Sequence, residues 1–335
     1  MTVELTTVAD DEIVNFDGAT EYAHRSLQPD TEYEFEGISA RTLPRPSGQL
    51  LSRFATVNDV HFGETECGLM EGFELGPVFT VEEGDDPYPE TMNRGAIDNI
   101  RAIDPDAVLV KGDLTSRGIK EEYEAFLDAY GGAFGDILHH VRGNHDAHEG
   151  EPFASDAPFT VELPGVQLAV LDTVISRHHT GQITADQLEW LDTIGAESDG
   201  PVLVFGHHHP WSPDSRSREL GYFGINPDDS EKLVDIVARR PSILGYFAGH
   251  THRNRVRHFR STGPVPWVEV ACVKDFPGSW AEYRVYEGGI LQIHRRISTP
   301  AALAWTEKTR GMFGGLYPGY AFGQLEDRCF VINPR

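Results

Sequence analysis

Asp136-Ile137-Leu138-His139-His140-Val141-Arg142-Gly143-Asn144-His145-Asp146 is a short apolar run that stops at a glycine and then supplies an amide, an imidazole and a carboxylate in consecutive positions. Other places in the chain repeat the arrangement. Ala107-Val108-Leu109-Val110 leads into Gly112-Asp113, Pro201-Val202-Leu203-Val204-Phe205 into His207-His208-His209-Pro210, and Ser242-Ile243-Leu244-Gly245-Tyr246-Phe247 into Gly249-His250-Thr251-His252. Asp59-Val60-His61 likewise follows an apolar stretch that starts at Leu51. Short apolar runs of this kind read as buried strands, so each polar cluster begins where a strand ends, which is where open α/β sheets hold their ligands. Between the runs, apolar residues at helical spacing predict helices over 119–134, 185–194 and 228–239, with Thr184 and Asp228 as N-caps. After His252 the pattern turns strand-rich, at 256–259, 267–273, 281–286 and 291–297, which implies a second sheet.

Composition bounds the answer from another side. The chain has 335 residues, 39% of them hydrophobic, enough for one large core with a small appendage. No apolar run reaches the ~18 residues of a membrane span, and Met1-Thr2-Val3-Glu4-Leu5 carries no secretory leader, so a cytoplasmic protein is expected. Three cysteines, Cys67, Cys272 and Cys329, are too few for a disulfide framework and suit a reducing compartment; Cys272 sits in a strand pattern and reads as a core residue. Acidic residues number 53 against 28 basic ones, giving a net charge of -25, and only five of the basic residues are lysines. That balance resembles the proteins of a molar-salt cytosol, where a Debye length of about 3 Å screens self-repulsion. It also argues against nucleic acid as a partner, because no basic stripe is visible.

The five clusters, in this order, resemble the calcineurin-like metallophosphoesterase family across roughly residues 51–297. The resemblance implies an α/β fold, a four-layer α/β/β/α sandwich of two mixed sheets flanked by helices, with a short β-rich N-terminal extension over 1–50 and a C-terminal extension over 298–335 packed on the catalytic domain. Leu27 to Glu36 resembles the end of the fibronectin-like module that precedes the catalytic domain of purple acid phosphatases, with Tyr33 and Phe35 alternating as a half-buried strand and Pro44-Arg45-Pro46-Ser47-Gly48 as its exit. The tail beyond Ser298 is rich in Gly, Tyr and Phe; Trp305, Tyr317, Tyr320 and Phe322 are read either as a dimer contact or as a cover for the core.

For the site, the resemblance implies two divalent cations, Mn, Fe or Zn. Asp113 bridges them; Asp59, His61 and His252 hold one, and Asn144, His250 and one histidine of the triplet hold the other. Counting back from Pro210 selects His208, counting from Gly206 selects His207, and His208 is favoured. His145 is the family's non-ligand histidine, expected to protonate the leaving oxygen or steady the phosphoryl oxygens, and Asp146, the second catalytic candidate, is expected to accept from its imidazole or from a neighbour and orient it. Such a pair of cations holds a bridging hydroxide for in-line attack on a small-molecule phosphoester. Purple acid phosphatases carry tyrosine three residues after the bridging aspartate; Ser116 stands there instead, which favours a divalent pair.

Leu171-Asp172-Thr173, Gly181-Gln182-Ile183, Gln187-Leu188-Glu189-Trp190-Leu191 and the stretch from Pro105 to Thr115 look like the cyclic-nucleotide phosphodiesterase branch, which also contains glycerophosphodiesterases. Phosphodiester hydrolysis is therefore the expected activity, ahead of a phosphomonoesterase or nuclease of the same fold and of a non-catalytic metal-binding scaffold. The insertion from Gly63 to Thr91 is read as a site cover or a solvated loop. His178 and His179 are candidates for facing the site. Arg117 and Arg253, each just after a ligand cluster, are read as surface ion pairs ahead of phosphate contacts.

Overall fold

The computed structural model describes residues 3–69, 75–219 and 221–335. Two six-stranded mixed sheets form its centre. In the first, Phe330–Ile332, Gly289–Arg296, Ser279–Tyr286, Leu50–Val57, Ala107–Lys111 and Leu138–Val141 lie side by side; in the second, Arg255–Arg257, Trp267–Glu269, Ile243–Ala248, Val202–Phe205, Val166–Val170 and Phe159–Leu163. Phe54, Leu109, Phe205, Phe247 and Tyr283 are buried between the sheets. On the outer face of the first sheet, Val108 and Val110 pack with Met92, Ile97 and Trp305 of the helices Tyr88–Arg101 and Pro300–Thr309. On the outer face of the second, Val202 and Val204 pack with Leu188, Leu191, Leu233 and Val237 of the helices Ala185–Glu197 and Pro227–Arg239. This is the expected order of helix, sheet, sheet, helix. Alternate residues of one strand serve the two cores, which is why the buried strands read as continuous apolar runs.

Several boundaries differ from expectation for local reasons. Thr184 caps its helix by accepting from Gln187 N, but the next helix is capped by Asn226, whose Oδ1 accepts from Asp229 N at 2.9 Å, with Pro227 in the first turn. Asp228 is already helical. The 119–134 helix starts at Lys120 and widens into a π-helical turn over Leu127–Gly131. The strand from Trp267 ends at Glu269, because Val270 N still bonds Ala248 O while the chain turns away toward the ends of the parallel strands.

The N-terminal residues form a three-stranded sheet, Glu4–Val8, Glu12–Asp17 and Thr20–Arg25, and a hairpin, Glu32–Phe35 with Ile38–Arg41. Buried ion pairs tie the sheet to the main body. Glu282 accepts from Arg284 at 2.7 Å and Arg295 at 2.6 Å, and Arg284 reaches Asp10 at 2.7 Å and Asp11 at 2.8 Å. The chain beyond Ser298 is mostly helical, over Pro300–Thr309, Met312–Gly315, Tyr317–Ala321 and Leu325–Arg328, and ends in a strand added to the first sheet. No helix of the described residues is long and apolar enough to cross a membrane.

Candidate metal centre

Leu50–Val57, Ala107–Lys111 and Leu138–Val141 are parallel to one another, as are Val166–Val170, Val202–Phe205 and Ile243–Ala248. The five polar clusters leave the C-terminal ends of these strands and meet. Convergence costs backbone strain: Asp59, His61, Asp113, His250 and His252 all adopt positive φ, between 48° and 70°. A non-glycine residue held there costs roughly 1 kcal/mol or more, and such strain collects where side chains must be aimed. Gly143 is needed for a different reason, since a Cβ at that position would overlap the amide and carboxylate of Asp113.

Asp113 is the centre of the arrangement. Its Oδ2 lies 3.5 Å from His61 Nε2 and 3.3 Å from His207 Nε2, and its Oδ1 accepts from the His145 backbone amide at 3.0 Å. Asp59, His61 and His252 form one group, with His252 Nε2 3.4 Å from Asp59 Oδ1. On the other side, His207 Nε2 is 3.1 Å from Asn144 Oδ1, and His207, His208 and His250 gather their ring nitrogens. The ring nitrogens of His61 and the Nε2 atoms of His208 and His250 are buried without an aligned hydrogen bond in the structure. Buried polar atoms are normally paired; imidazole nitrogens left bare beside carboxylates suit divalent cations, and this O/N donor set suits first-row metals.

Within the triplet the neighbours differ. His207 Nδ1 faces the Lys111 carbonyl at 2.9 Å, so it carries the proton and Nε2 is left as a donor atom toward Asp113 and Asn144. His208 instead turns its Nδ1 to the Thr173 hydroxyl at 2.8 Å, and Thr173 belongs to the Leu171-Asp172-Thr173 phrase. Burial opposes charging His207, yet the carboxylates of Asp113 and Asp59 outweigh it and push this imidazole up to about 9, so a cation held at Nε2 would take the place of a proton. His208 and His250 go the other way, well below the ordinary histidine value, through burial and the neighbouring imidazoles.

His145 Nδ1 faces the backbone carbonyl of Ser116 at 2.6 Å, which leaves Nε2 for a ligand. Asp146 does not touch that ring. Its carboxylate accepts from the backbone amides of Leu114, Thr115 and Gly143 and from the Thr115 hydroxyl, at 2.7 to 3.1 Å. Of its two expected uses, imidazole or neighbour, the geometry gives the second: Asp146 is a positioning residue that ties the Asp113 loop to the Asn144 loop. Burial and the nearby Asp113 raise its carboxyl to about 6, against the pull of those donors.

Three participants, Glu64, Lys274 and Asp275, were not singled out from sequence. Glu64 Oε2 stands 3.3 Å from His61 Nδ1 and pairs with the buried ammonium of Lys274 at 2.6 Å. Asp275 Oδ2 stands 3.7 Å from His252 Nδ1, and its Oδ1 accepts from Tyr317 at 2.7 Å and from the Cys272 thiol at 2.9 Å. A carboxylate behind an imidazole fixes its orientation and raises its basicity. The available signals were a Glu three residues after His61 and the charged pair Lys274-Asp275 closing an apolar run. Glu64 lies in the 63–91 insertion, and Gly68 and Leu69 of that insertion line a cavity beside Asp113, Asn144 and His145; residues 70–74 lie outside the described residues. His179 also lines the cavity, while Arg117 pairs with Glu122 at 2.9 Å and Arg253 with Glu269 at 2.8 Å.

Residues 52–254 match the family model described as calcineurin-like phosphoesterase. A cAMP/cGMP dual specificity phosphodiesterase from Mycobacterium tuberculosis is 32% identical, over 46% of this chain and 51% of its own length. A probable cyclic nucleotide phosphodiesterase from Synechococcus is 25% identical, over 46% of this chain and 61% of its own. A probable glycerophosphodiester phosphodiesterase from Arcobacter nitrofigilis is 26% identical, over 64% of this chain and 82% of its own. The chain thus spans about three-fifths of the length of the first curated relatives it matches. Among solved structures, a dimetal phosphatase from Danio rerio shares the fold, with a TM-score of 0.57 at 14% identity over 86% of this chain and 100% of that one.

Proposed function

Because the chain belongs to the calcineurin-like phosphoesterase family, we propose that it hydrolyses phosphodiesters with two divalent cations. The observation that carries this is Asp113 Oδ2, set between His61 Nε2 and His207 Nε2 at 3.5 and 3.3 Å. Asp59, His61 and His252 would hold one cation and Asn144, His207 and His250 the other, with Asp113 shared; His207 takes the place expected of His208. Bound there, the cations supply Lewis-acid charge for a phosphoryl group and an activated water. The residues present do the rest. Ser116 keeps the proton on His145 Nδ1, so Nε2 is the atom that delivers a proton to the departing oxygen. Glu64 and Asp275 place carboxylate charge 3.3 and 3.7 Å from the Nδ1 atoms of His61 and His252, and Asp146 holds the two central loops together.

Diesters are preferred over monoesters because the relatives above are named for phosphodiesters. The O/N donors do not choose among manganese, iron and zinc. The charge of -25 supports a high-salt cytosol as the working solvent.

The test is the hydrolysis rate of a chromogenic phosphodiester beside its monoester, in molar potassium chloride with manganese. Faster diester turnover, lost on chelation and restored by manganese, is expected, with about two cations per chain by elemental analysis. His145→Ala should keep its metal and slow turnover by about 10²-fold or more. Diester hydrolysis that survives complete removal of metal would sink the proposal, and a monoester preference would move the activity to the phosphatases.

A further inference from the structure

Next to the clustered histidines lies a cavity of about 190 Å³ with an aromatic wall. Phe223 comes from the loop that follows the histidine triplet; Phe313, Tyr317 and Tyr320 come from the C-terminal segment. Phe223 stacks on the His250 imidazole, with ring centres 4.1 Å apart and planes 28° apart, yet it is 53% exposed. Tyr320 is fixed by donating its hydroxyl to Thr251 O at 2.9 Å, with the Arg253 guanidinium 5.2 Å from its ring, and it is 46% exposed. Each ring is held by protein contacts and still open to solvent. Ten large apolar side chains are exposed among the described residues, and three of them, Leu69, Phe223 and Tyr320, line this one cavity. In so acidic a chain that grouping points to a ligand with an apolar surface.

Three polar side chains of the wall are already engaged, while the Thr251 hydroxyl is left without a partner. Lys274 is held by Glu64 at 2.6 and 2.7 Å, Tyr317 by Asp275, and Tyr320 by Thr251. A glycerol-like group would meet few free partners here, whereas a flat ring would meet aromatic faces.

Building on the phosphoesterase reading, we propose that Phe223 and Tyr320 determine specificity. They take a planar heteroaromatic group, the chemistry of a nucleobase, attached to the phosphoester bound at the metal centre, and disfavour glycerol-type groups. The C-terminal segment is thereby part of the substrate site rather than a cover.

Calorimetric binding of adenosine 5′-monophosphate and of glycerol 3-phosphate to the manganese-loaded full chain tests this. The nucleotide should bind at least about tenfold more tightly, and Phe223→Ala and Tyr320→Ala should each weaken it by about tenfold, with a much smaller change for glycerol 3-phosphate. Phe223→Trp and Tyr320→Phe should recover most of the nucleotide affinity. Equal affinities in the unaltered protein overturn the proposal, as do equal losses for both ligands in the alanine variants, which would mean that the rings merely support His250 and Thr251. Turnover of the chromogenic diester by the same preparations reports on the phosphoesterase reading separately: nucleotide-selective binding without hydrolysis would overturn that reading alone.

Discussion

His207 and His208 are adjacent, chemically identical and both fully buried, yet they meet different surroundings. A carbonyl at the end of a strand in the facing sheet, that of Lys111, receives His207 Nδ1 and aims Nε2 at Asp113; a threonine from another loop receives His208. The proposed assignment of His207 as ligand has a direct consequence. His207→Ala should retain about one cation per chain by elemental analysis, and His208→Ala close to two. The reverse result would restore His208 as the ligand. Neither position relative to Pro210 nor distance from Gly206 could decide between them, because the deciding atoms lie on strands far away in sequence. Asp146 illustrates the same limit: its place beside His145 suggested a partner for the imidazole as readily as for a neighbour, while the folded chain surrounds it with amide donors from two loops.

At the scale of elements, the tail contributes most beyond expectation. Its aromatic residues were read as a dimer contact or a core cover; Trp305 is packed in the core behind the first sheet, whereas Tyr317 and Tyr320 reach the cavity. Tyr317 donates to Asp275, which stands 3.7 Å from His252, so a helical turn 65 residues from that histidine sets the carboxylate beside it. Tyr317→Phe removes one hydrogen bond and keeps the ring. It should lower metal affinity by about tenfold in chelator competition, with a stability loss of about 1 kcal/mol in denaturant titration. Unchanged affinity would show that Asp275 holds His252 without help. No periodicity marked this segment because its short helices are set by contacts with the main body rather than by an amphipathic repeat.

Over the whole molecule, charge is distributed in two ways. The surface carries a large acidic excess, while Glu282 and its arginines form a buried junction between the N-terminal sheet and the first large sheet. Burial raises the Glu282 carboxyl, but Arg295 and Arg284 outweigh it and bring it down to about 2, from an ordinary value of 4.5. A carboxylate depressed on folding stabilises the folded state above its unfolded pKa and ceases to do so as pH falls through the folded value. The junction should therefore contribute fully above about pH 5 and lose on the order of 3 kcal/mol on acidification toward pH 2. Glu282→Gln should flatten this part of the stability profile, as followed by denaturant unfolding at successive pH values. An unchanged slope would assign the acid sensitivity to other carboxylates.

The two-sheet sandwich and the ligand roles followed from resemblance to a known family; the sequence by itself marked the polar clusters and most strands of the sheets, though not Phe159–Leu163, Val166–Val170 or Phe330–Ile332. Those features depend on local patterns: apolar runs long enough to be buried, and polar clusters that can only stand where the runs stop. Tertiary structure alone decided which histidine of the triplet faces Asp113, what Asp146 holds, which carboxylates stand behind His61 and His252, and that the tail enters the site. Each of these is a contact between residues far apart in the chain, fixed by how two sheets and their loops pack, and such contacts leave no periodicity or spacing to be read in advance.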